Sequence, residues 1–346
     1  MFASQEQNIK NKVTSSDVAR MLGVSQSMVS RAFTPSASIS EKKRKMILEA
    51  ATKLGYTPNA IARGLISKRS GLIAIAIDNK NNPMYDLLTR ELSLYIQQQG
   101  YQVVLCSIDQ DDLELAVQRA IEYQVDGLII ATSRLTSRAL ARCETYGICL
   151  CLLNRFIDDL PANSISLDNY HAGELAARHL TEQGFRQLAF ISGERNTLTS
   201  EKRWLGFSES LNRQGYPAPL FVQSQYDFNA GMKTAMELLN QSSLPDALFC
   251  ANDIIALGVI DGLRSRGLSV PKDLAVMGVD DIPMSSWPAY QLTTIQQPVR
   301  HLVELSVNDL LKRIKEEQEI TGDYIMVQGS VIKRESTSNA SSSSTI

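Results

Sequence analysis

Ser15–Phe33 reads SSDVARMLGVSQSMVSRAF, and the spacing of its apolar residues decides how the chain begins to fold. Val18, Ala19, Leu22, Val24 and Val29 fall on one side of two short helices, predicted over Ser15–Met21 and Gln26–Phe33. Thr14 followed by Asp17 is the shorter acidic form of a capping box. Gly23 can take the left-handed turn that ends the first helix, and Ser25 can cap the second. Gln26, Ser27 and Arg31 are left facing outward. With a third helix over Glu41–Leu54, this has the shape of a helix-turn-helix, whose second helix lies in the major groove of DNA.

Charge supports a polyanion as partner. Met1–Ser70 carries 12 Lys+Arg against 4 Asp+Glu, while the remainder carries 23 against 33, so a near-neutral total hides a basic head on an acidic body. A solvated basic face is the plainer alternative on charge alone. The N-terminus, MFASQEQNIKNK, lacks the apolar core of a signal peptide, and no apolar run approaches the roughly 18 residues that span a bilayer. A cytoplasmic location is expected, with no membrane partner. Cys106, Cys143, Cys149, Cys151 and Cys250 are scattered through apolar segments, and Cys149 and Cys151 share a face of one predicted strand. With only three histidines in the chain they make a poor zinc site, so reduced core thiols are expected and no metal.

Thr57–Gly71, TPNAIARGLISKRSG, begins well as a helix, with Thr57 as cap and Pro58 at the first position. Its apolar part runs only from Ala60 to Ile66, and Gly64 interrupts it. A helix shorter than roughly 12 residues is marginal in water, and the glycine costs about 1 kcal/mol more. Such a segment cannot hold its fold alone.

Beyond Gly71 short apolar runs alternate with helical patterns. Leu72–Ile77, Gln102–Cys106, Asp126–Ile130 and Ile148–Leu153 read as buried parallel strands, and Gln187–Ile191, Ala247–Cys250 and Leu274–Val279 as a second series. Helices are predicted over Met84–Gln99, Leu113–Tyr123, Arg134–Tyr146, Tyr170–Gln183, Glu201–Gln214, Ala230–Leu239 and Ile254–Arg266. Two successive β-α-β series mean two doubly wound lobes with a cleft between them. The expected fold is therefore an all-α helix-turn-helix head on an α/β body. Its parts are a head (13–56), a hinge (57–70) and a body (71–335), with lobe 1 at about 71–167 and 297–322 and lobe 2 at about 168–294 and 324–335. A Ser-rich disordered tail (336–346) closes the chain.

Four stretches in register resemble the lactose-repressor-type (LacI/GalR) family of bacterial transcription regulators. They are the opening stretch, LGYTPNAIARGL, FCANDIIALGVIDGLRSRGLSVPKDLAVMGVDD and LTTIQQP. The resemblance covers roughly Val13 to Glu335 and implies a body like periplasmic sugar-binding proteins. It also implies a hinge that folds only when two subunits pair over operator DNA. There Leu65 would wedge between base pairs in the minor groove, with Ala62 beside it. By the same resemblance Gln26, Ser27 and Arg31 would read bases, while Thr14, Ser25, Tyr56 and Asn59 would contact phosphates. The partners implied are a pseudo-palindromic operator, a second copy of the chain and a small effector; no cofactor is implied.

For that effector the resemblance points to Arg203, Asp280, Asn252 and Phe228, then Tyr85, Ser133, Asp168 and Gln297, with Arg195 (in GERNT, with Thr197) near the cleft. A sugar or sugar acid suits this mixture of charge, amide and ring. A purine is the alternative, since GERNT occurs in purine-binding relatives, although Met84 stands where those carry a second stacking ring. An exported sugar-binding protein would lack the basic head. An enzyme is disfavoured because the chain has no P-loop, G-x-G-x-x-G, G-x-S-x-G or H-E-x-x-H.

Overall fold

Capping chemistry and a shared apolar face build the head as expected. In the computed structural model, which describes residues 13–34, 37–57, 69–78, 82–108, 112–132, 136–154, 162–194, 197–241, 243–316 and 322–338, the chain divides into Met1–Ser70 and Gly71–Ile346. Helices α1 (Ser15–Leu22), α2 (Gln26–Ala32) and α3 (Glu41–Leu54) bury Val18, Val29 and Ile47 completely among themselves. Asp17 accepts from both the N–H and the hydroxyl of Thr14, at 3.0 and 2.7 Å, and those bonds hold its carboxyl below the ordinary range. Gly23 ends α1 at φ +64°. Arg44, one of the charges that made the head look basic, is spent internally. Its guanidinium donates to the carbonyls of Ala32, Thr34 and Ala37, fastening α3 to the end of α2.

The body holds two six-stranded sheets. The first contains β1 (Leu72–Asp78), β2 (Gln102–Ile108), β3 (Gly127–Ala131), β4 (Cys149–Leu153), β5 (Asn163–Leu167) and β11 (Tyr324–Val327), all parallel, in the order β11-β5-β4-β3-β1-β2. The second contains β6 (Leu188–Ile191), β7 (Leu220–Val222), β8 (Ala247–Cys250), β9 (Ala275–Asp280), β10 (Thr293–Gln296) and β12 (Ser330–Ile332). Its order is β12-β10-β9-β8-β6-β7, with only β12 antiparallel. In lobe 1, α4 (Pro83–Gln98), α5 (Leu113–Glu122) and α6 (Ser137–Thr145) follow the first three strands. In lobe 2, α7 (Asn169–Glu182) precedes β6, and α8 (Leu198–Arg213), α9 (Phe228–Leu238) and α10 (Asp253–Ser265) follow β6, β7 and β8. The long α11 (Val299–Glu316) returns to lobe 1. The chain thus changes sheet three times, after β5, after β10 and after β11.

Helices of lobe 2 meet backbone to backbone. A Cβ on Gly206 of α8 would run into the carbonyl of Tyr170 in α7, and one on Gly173 into that of Arg203. Gly231 and Gly258 make the same kind of approach between α9 and α10. This close seating fixes α8, and with it Arg203.

Two expectations change at the C-terminus. Tyr324–Val327, assigned to lobe 2 from the sequence, pairs with Asn163–Leu167 in the sheet of lobe 1. The tail expected to be disordered from Ser336 onward starts as ordered structure. Ser336 and Thr337 are 1% exposed, because their hydroxyls complete a buried network. Ser336 Oγ donates to the Val276 carbonyl at 2.6 Å and accepts from Thr293 N–H at 2.8 Å. Thr337 Oγ1 donates to Thr293 Oγ1 at 2.8 Å and lies 2.8 Å from His179 Nε2, so that ring nitrogen carries the proton. Residues 339–346 lie outside the described residues, as do the hinge positions Asn59, Ala62 and Leu65. The five cysteines are free thiols, and among the described residues no group of side chains could hold a metal and no helix is long and apolar enough to cross a membrane.

Burial, with Lys333 adding repulsion, pushes His179 down to about 4. Its folded value lies below the ordinary 6.5, so its contribution to stability is whole above pH 6.5 and is lost as pH falls toward 4. Ring NMR should show His179 neutral down to about pH 4. His179→Gln should flatten the acid limb of the unfolding free energy relative to the parent chain; an unchanged limb would count against this network.

Candidate nucleic-acid interface and ligand cleft

The outward face of the head is polar and built around α2. Gln26, Ser27 and Arg31 are exposed on it, while the opposite side of the helix buries Val29 and Ala32. Ser25 caps the helix by accepting from Met28 N–H at 3.3 Å, and its hydroxyl lies 3.0 Å from that of Ser27. Gln26 donates to Ser15 Oγ at 2.8 Å, and Arg31 Nε donates to the Ser27 carbonyl at 3.3 Å, so both side chains are steadied on the surface. Thr14 is exposed at the start of α1, and Tyr56 stacks edge-on against Phe33 with ring centres 5.7 Å apart. Side chains of this kind can meet base edges and phosphates.

A second site lies between the lobes at the C-terminal ends of the parallel strands, where doubly wound sheets bind ligands. The cleft has about 700 Å³ of empty volume, part of it open to solvent. Lobe 1 contributes Asn82, Met84 and Tyr85 at the start of α4, Ala131 at the end of β3 and Asn154 after β4; lobe 2 contributes Asn169, Thr199, Arg203, Tyr226, Asn252 and Asp280, and Gln297 lies at the second crossover.

Arg203 is 3% exposed. Its Nε donates to Asn169 Oδ1 at 2.9 Å and one terminal nitrogen donates to the Ala251 carbonyl, which leaves the guanidinium edge turned into the cleft. Asp280, 4% exposed, accepts from Gln297 Nε2 at 2.6 Å. Gln297 Oε1 in turn accepts from Asn154 Nδ2 at 3.0 Å, so a polar chain runs from lobe 1 through the crossover to lobe 2. Burial pushes the Asp280 carboxyl upward; the Arg203 charge opposes that shift and nearby Asp253 adds to it, while Gln297 and Asn82 bonds favour the charged form. Two buried polar atoms of the lining have no partner among the described residues: the hydroxyl of Tyr226 and the amide nitrogen of Asn252. The Asn252 oxygen is occupied in capping α10, accepting from Ile255 N–H at 3.0 Å.

Of the residues expected here, Tyr85, Arg203, Asn252, Asp280 and Gln297 line the cleft, while Ser133 and Arg195 lie outside the described residues. Phe228 and Asp168 do not line it. Phe228 is the first residue of α9, behind the cap Asp227, and its backbone packs on Gly258; the ring at the cleft is Tyr226, two residues earlier. Gly193 makes room for that ring, since a Cβ there would run into it. Asp168 is occupied in capping α7, accepting from His171 N–H at 3.0 Å, and Asn169 takes the cleft position. A usable signal was present in both cases. Asp227 and Asp168 are cap residues by type, and a cap spends its carboxylate on its own helix. Thr197 is buried, with its hydroxyl donated to Glu194, and Thr199 lines the cleft.

Known families match both parts of the chain. The family described as bacterial regulatory proteins, lacI family, matches residues 14–59, and the periplasmic binding protein-like domain matches residues 177–337. The chain is 31% identical over 311 residues to the ribose operon repressor of Haemophilus influenzae, covering 88% of this chain and 93% of that one. It is 30% identical over 298 residues to the transcriptional regulator DegA of Bacillus subtilis (84% and 88% covered), and 30% identical over 314 residues to the repressor PurR of Glaesserella parasuis (88% and 91%). In three dimensions it is similar to the lac repressor dimer bound to operator and the anti-inducer ONPF, with a TM-score of 0.83 at 28% identity, covering 94% of this chain and 99% of that one. A LacI family regulator from Enterococcus faecium with bound ribose gives a TM-score of 0.71 at 27% identity, over 78% and 99% of the two chains. With a helix-turn-helix head, a two-lobed body and relatives that are regulators rather than enzymes, the chain belongs to the lacI family, as a DNA-binding transcriptional repressor with a ligand-binding domain.

Proposed function

We propose that the chain acts in the cytoplasm as a homodimeric repressor whose affinity for a pseudo-palindromic operator is set by a small sugar or sugar acid held in the interlobe cleft. The observation that carries the effector class is the pair of stranded buried groups, Tyr226 hydroxyl and Asn252 Nδ2, beside Arg203 and Asp280. A buried polar atom without a partner costs about 1–3 kcal/mol, and a hydroxyl-rich ligand removes that cost. Asn82 and Asn154 add amide groups beside a polyol, while the Asn169 amide is spent on Arg203, Ser166 and the Leu167 carbonyl, and Arg203 suits a carboxylate.

A purine is the second reading. Tyr85 and Tyr226 approach the cleft from opposite lobes and give a flat ring two aromatic neighbours, although Met84 is also in the lining. In either case the effector acts by binding one arrangement of the lobes better than another. Two heads reading half-sites require a two-fold body.

Melting shifts with D-ribose, D-glucose, D-gluconate, adenine and guanine should single out a sugar or sugar acid. Arg203→Lys, which keeps a charge beside Asp280 and loses the planar fork, should weaken that ligand and leave ligand-free operator binding in place. Selective stabilisation by a purine base would transfer the assignment to the second reading.

The hinge has a separate test. Leu65→Ala should weaken operator binding by an amount on the order of a few kcal/mol, the scale of unstacking one base step. Salt-sensitive binding to random DNA should persist, since it depends on the basic head. Equal losses on both DNAs in a gel shift would refute the wedge.

A further inference from the structure

Asp280 and Asp281 occupy backbone conformations that side chains disfavour. Their φ angles are +130° and +59°, and neither residue is a glycine. Such a turn persists only where surrounding contacts over-determine it. Ile282 N–H donates to Asp253 Oδ2 at 3.0 Å, and Gln296 Nε2 donates to Asp281 Oδ2 at 2.8 Å. Asp281 N–H reaches Thr294 Oγ1 at 3.4 Å, a weak bond. Support as short as the Gln297–Asp280 bond comes from 53 residues away: Arg334 Nη2 meets Asp281 Oδ1 at 2.6 Å, with the two side chains only 15% and 14% exposed.

Arg334 is itself held. Its Nη1 donates to the Leu292 carbonyl at 2.7 Å, and its backbone N–H donates to Thr293 Oγ1 at 2.9 Å. Just beyond it Ser336 and Thr337 anchor the segment in the network that also takes in His179. Arg334 does not line the cleft, so whatever it does for a ligand it does through Asp281 and the adjoining Asp280.

We propose that Arg334 is a positioning residue of the cleft: its ion pair with Asp281 holds the left-handed turn that aims the Asp280 carboxylate at a ligand. The inference rests on reading the cleft as the effector site. It gives the C-terminal segment a role in ligand recognition besides closing the second sheet. Lysine at this position would keep the charge but could not serve Asp281 and the Leu292 carbonyl together through one planar fork.

The test follows the Asp280 carboxyl by carbon-13 NMR in the full chain without ligand, comparing the parent with Arg334→Met, Arg334→Lys and Gln296→Ala. The charged groups facing Asp280 are Arg203 from α8 and Asp253 from α10, both unchanged in every variant. In Arg334→Met the turn relaxes toward solvent, and the Asp280 midpoint falls toward the ordinary aspartate range; lysine restores part of the shift. Gln296→Ala, an exposed position, moves the resonance the same way by less. An unchanged Asp280 in folded Arg334→Met overturns the proposal; should that variant not fold, an unchanged Asp280 in Gln296→Ala does so. Calorimetry with D-ribose, D-glucose and D-gluconate on the same variants should show weaker binding of whichever sugar the parent takes. If the parent binds none, the sugar reading fails, while the carboxyl titration still decides the role of Arg334.

Discussion

A carboxylate with no exposed surface, Asp253, organises the second lobe where it meets the cleft. It accepts from Ile282 N–H at 3.0 Å, from Ser285 Oγ at 2.6 Å and from Thr294 Oγ1 at 2.5 Å, joining α10 to the loop after β9 and to β10. Burial raises its affinity for a proton, and the three donors work against that rise. A buried charge is tolerable only when it is hydrogen-bonded in this way. Gly278 is part of the same arrangement, since a Cβ there would collide with Asp253 Oδ1. Asn252, one residue earlier, and Asp280, at the end of β9, inherit their positions from this knot.

The cleft is an outcome of topology as much as of side chains. Three crossings between the sheets bring strand ends from both lobes to one level, and each lobe presents polar groups there. The chain Asn154–Gln297–Asp280 passes through the second crossing, so a ligand that competes for Asp280 also acts on a bond between lobes. This gives an effector a route to prefer one lobe arrangement, which is all that allosteric control requires. The Tyr226 hydroxyl and Asn252 Nδ2, buried without a protein partner among the described residues, favour a polar occupant of the cleft.

Charge and polarity hid elements from the sequence where they were buried. β5, NSISL, has polar residues at three of its five positions, yet all five residues are buried. Asn163 donates to Asp309 at 2.9 Å and accepts from Gly322 and Asp323 N–H, bonds from segments about 150 residues away that no local pattern announces. Arg313, in the charged run KRIKE, is 4% exposed; it pairs with Asp309 at 2.6 Å and reaches the Leu150 carbonyl at 2.8 Å, fastening α11 to β4. Arg44 is spent in the same way within the head. Composition counts such residues as surface, because a lone sequence cannot show the acceptors waiting for them.

The sequence by itself determined whatever is local or periodic. Caps at Thr14, Ser25 and Gly23, the apolar face of the head and the alternation of strand and helix through the body all depend on neighbours a few residues apart. The resemblance also brought Arg203, Asn252, Asp280 and Gln297 into view, and these do line one cleft. The caps Asp227 and Asp168 were legible in the sequence, but the tertiary structure decided which neighbour faces that cleft, Tyr226 and Asn169, since a cap turns the chain by an angle that spacing does not record. It alone decided that β11 joins the first sheet and that Ser336 and Thr337 are interior. Those outcomes depend on hydrogen-bond partners distant in the chain, and such partners exist only once the sheets have formed.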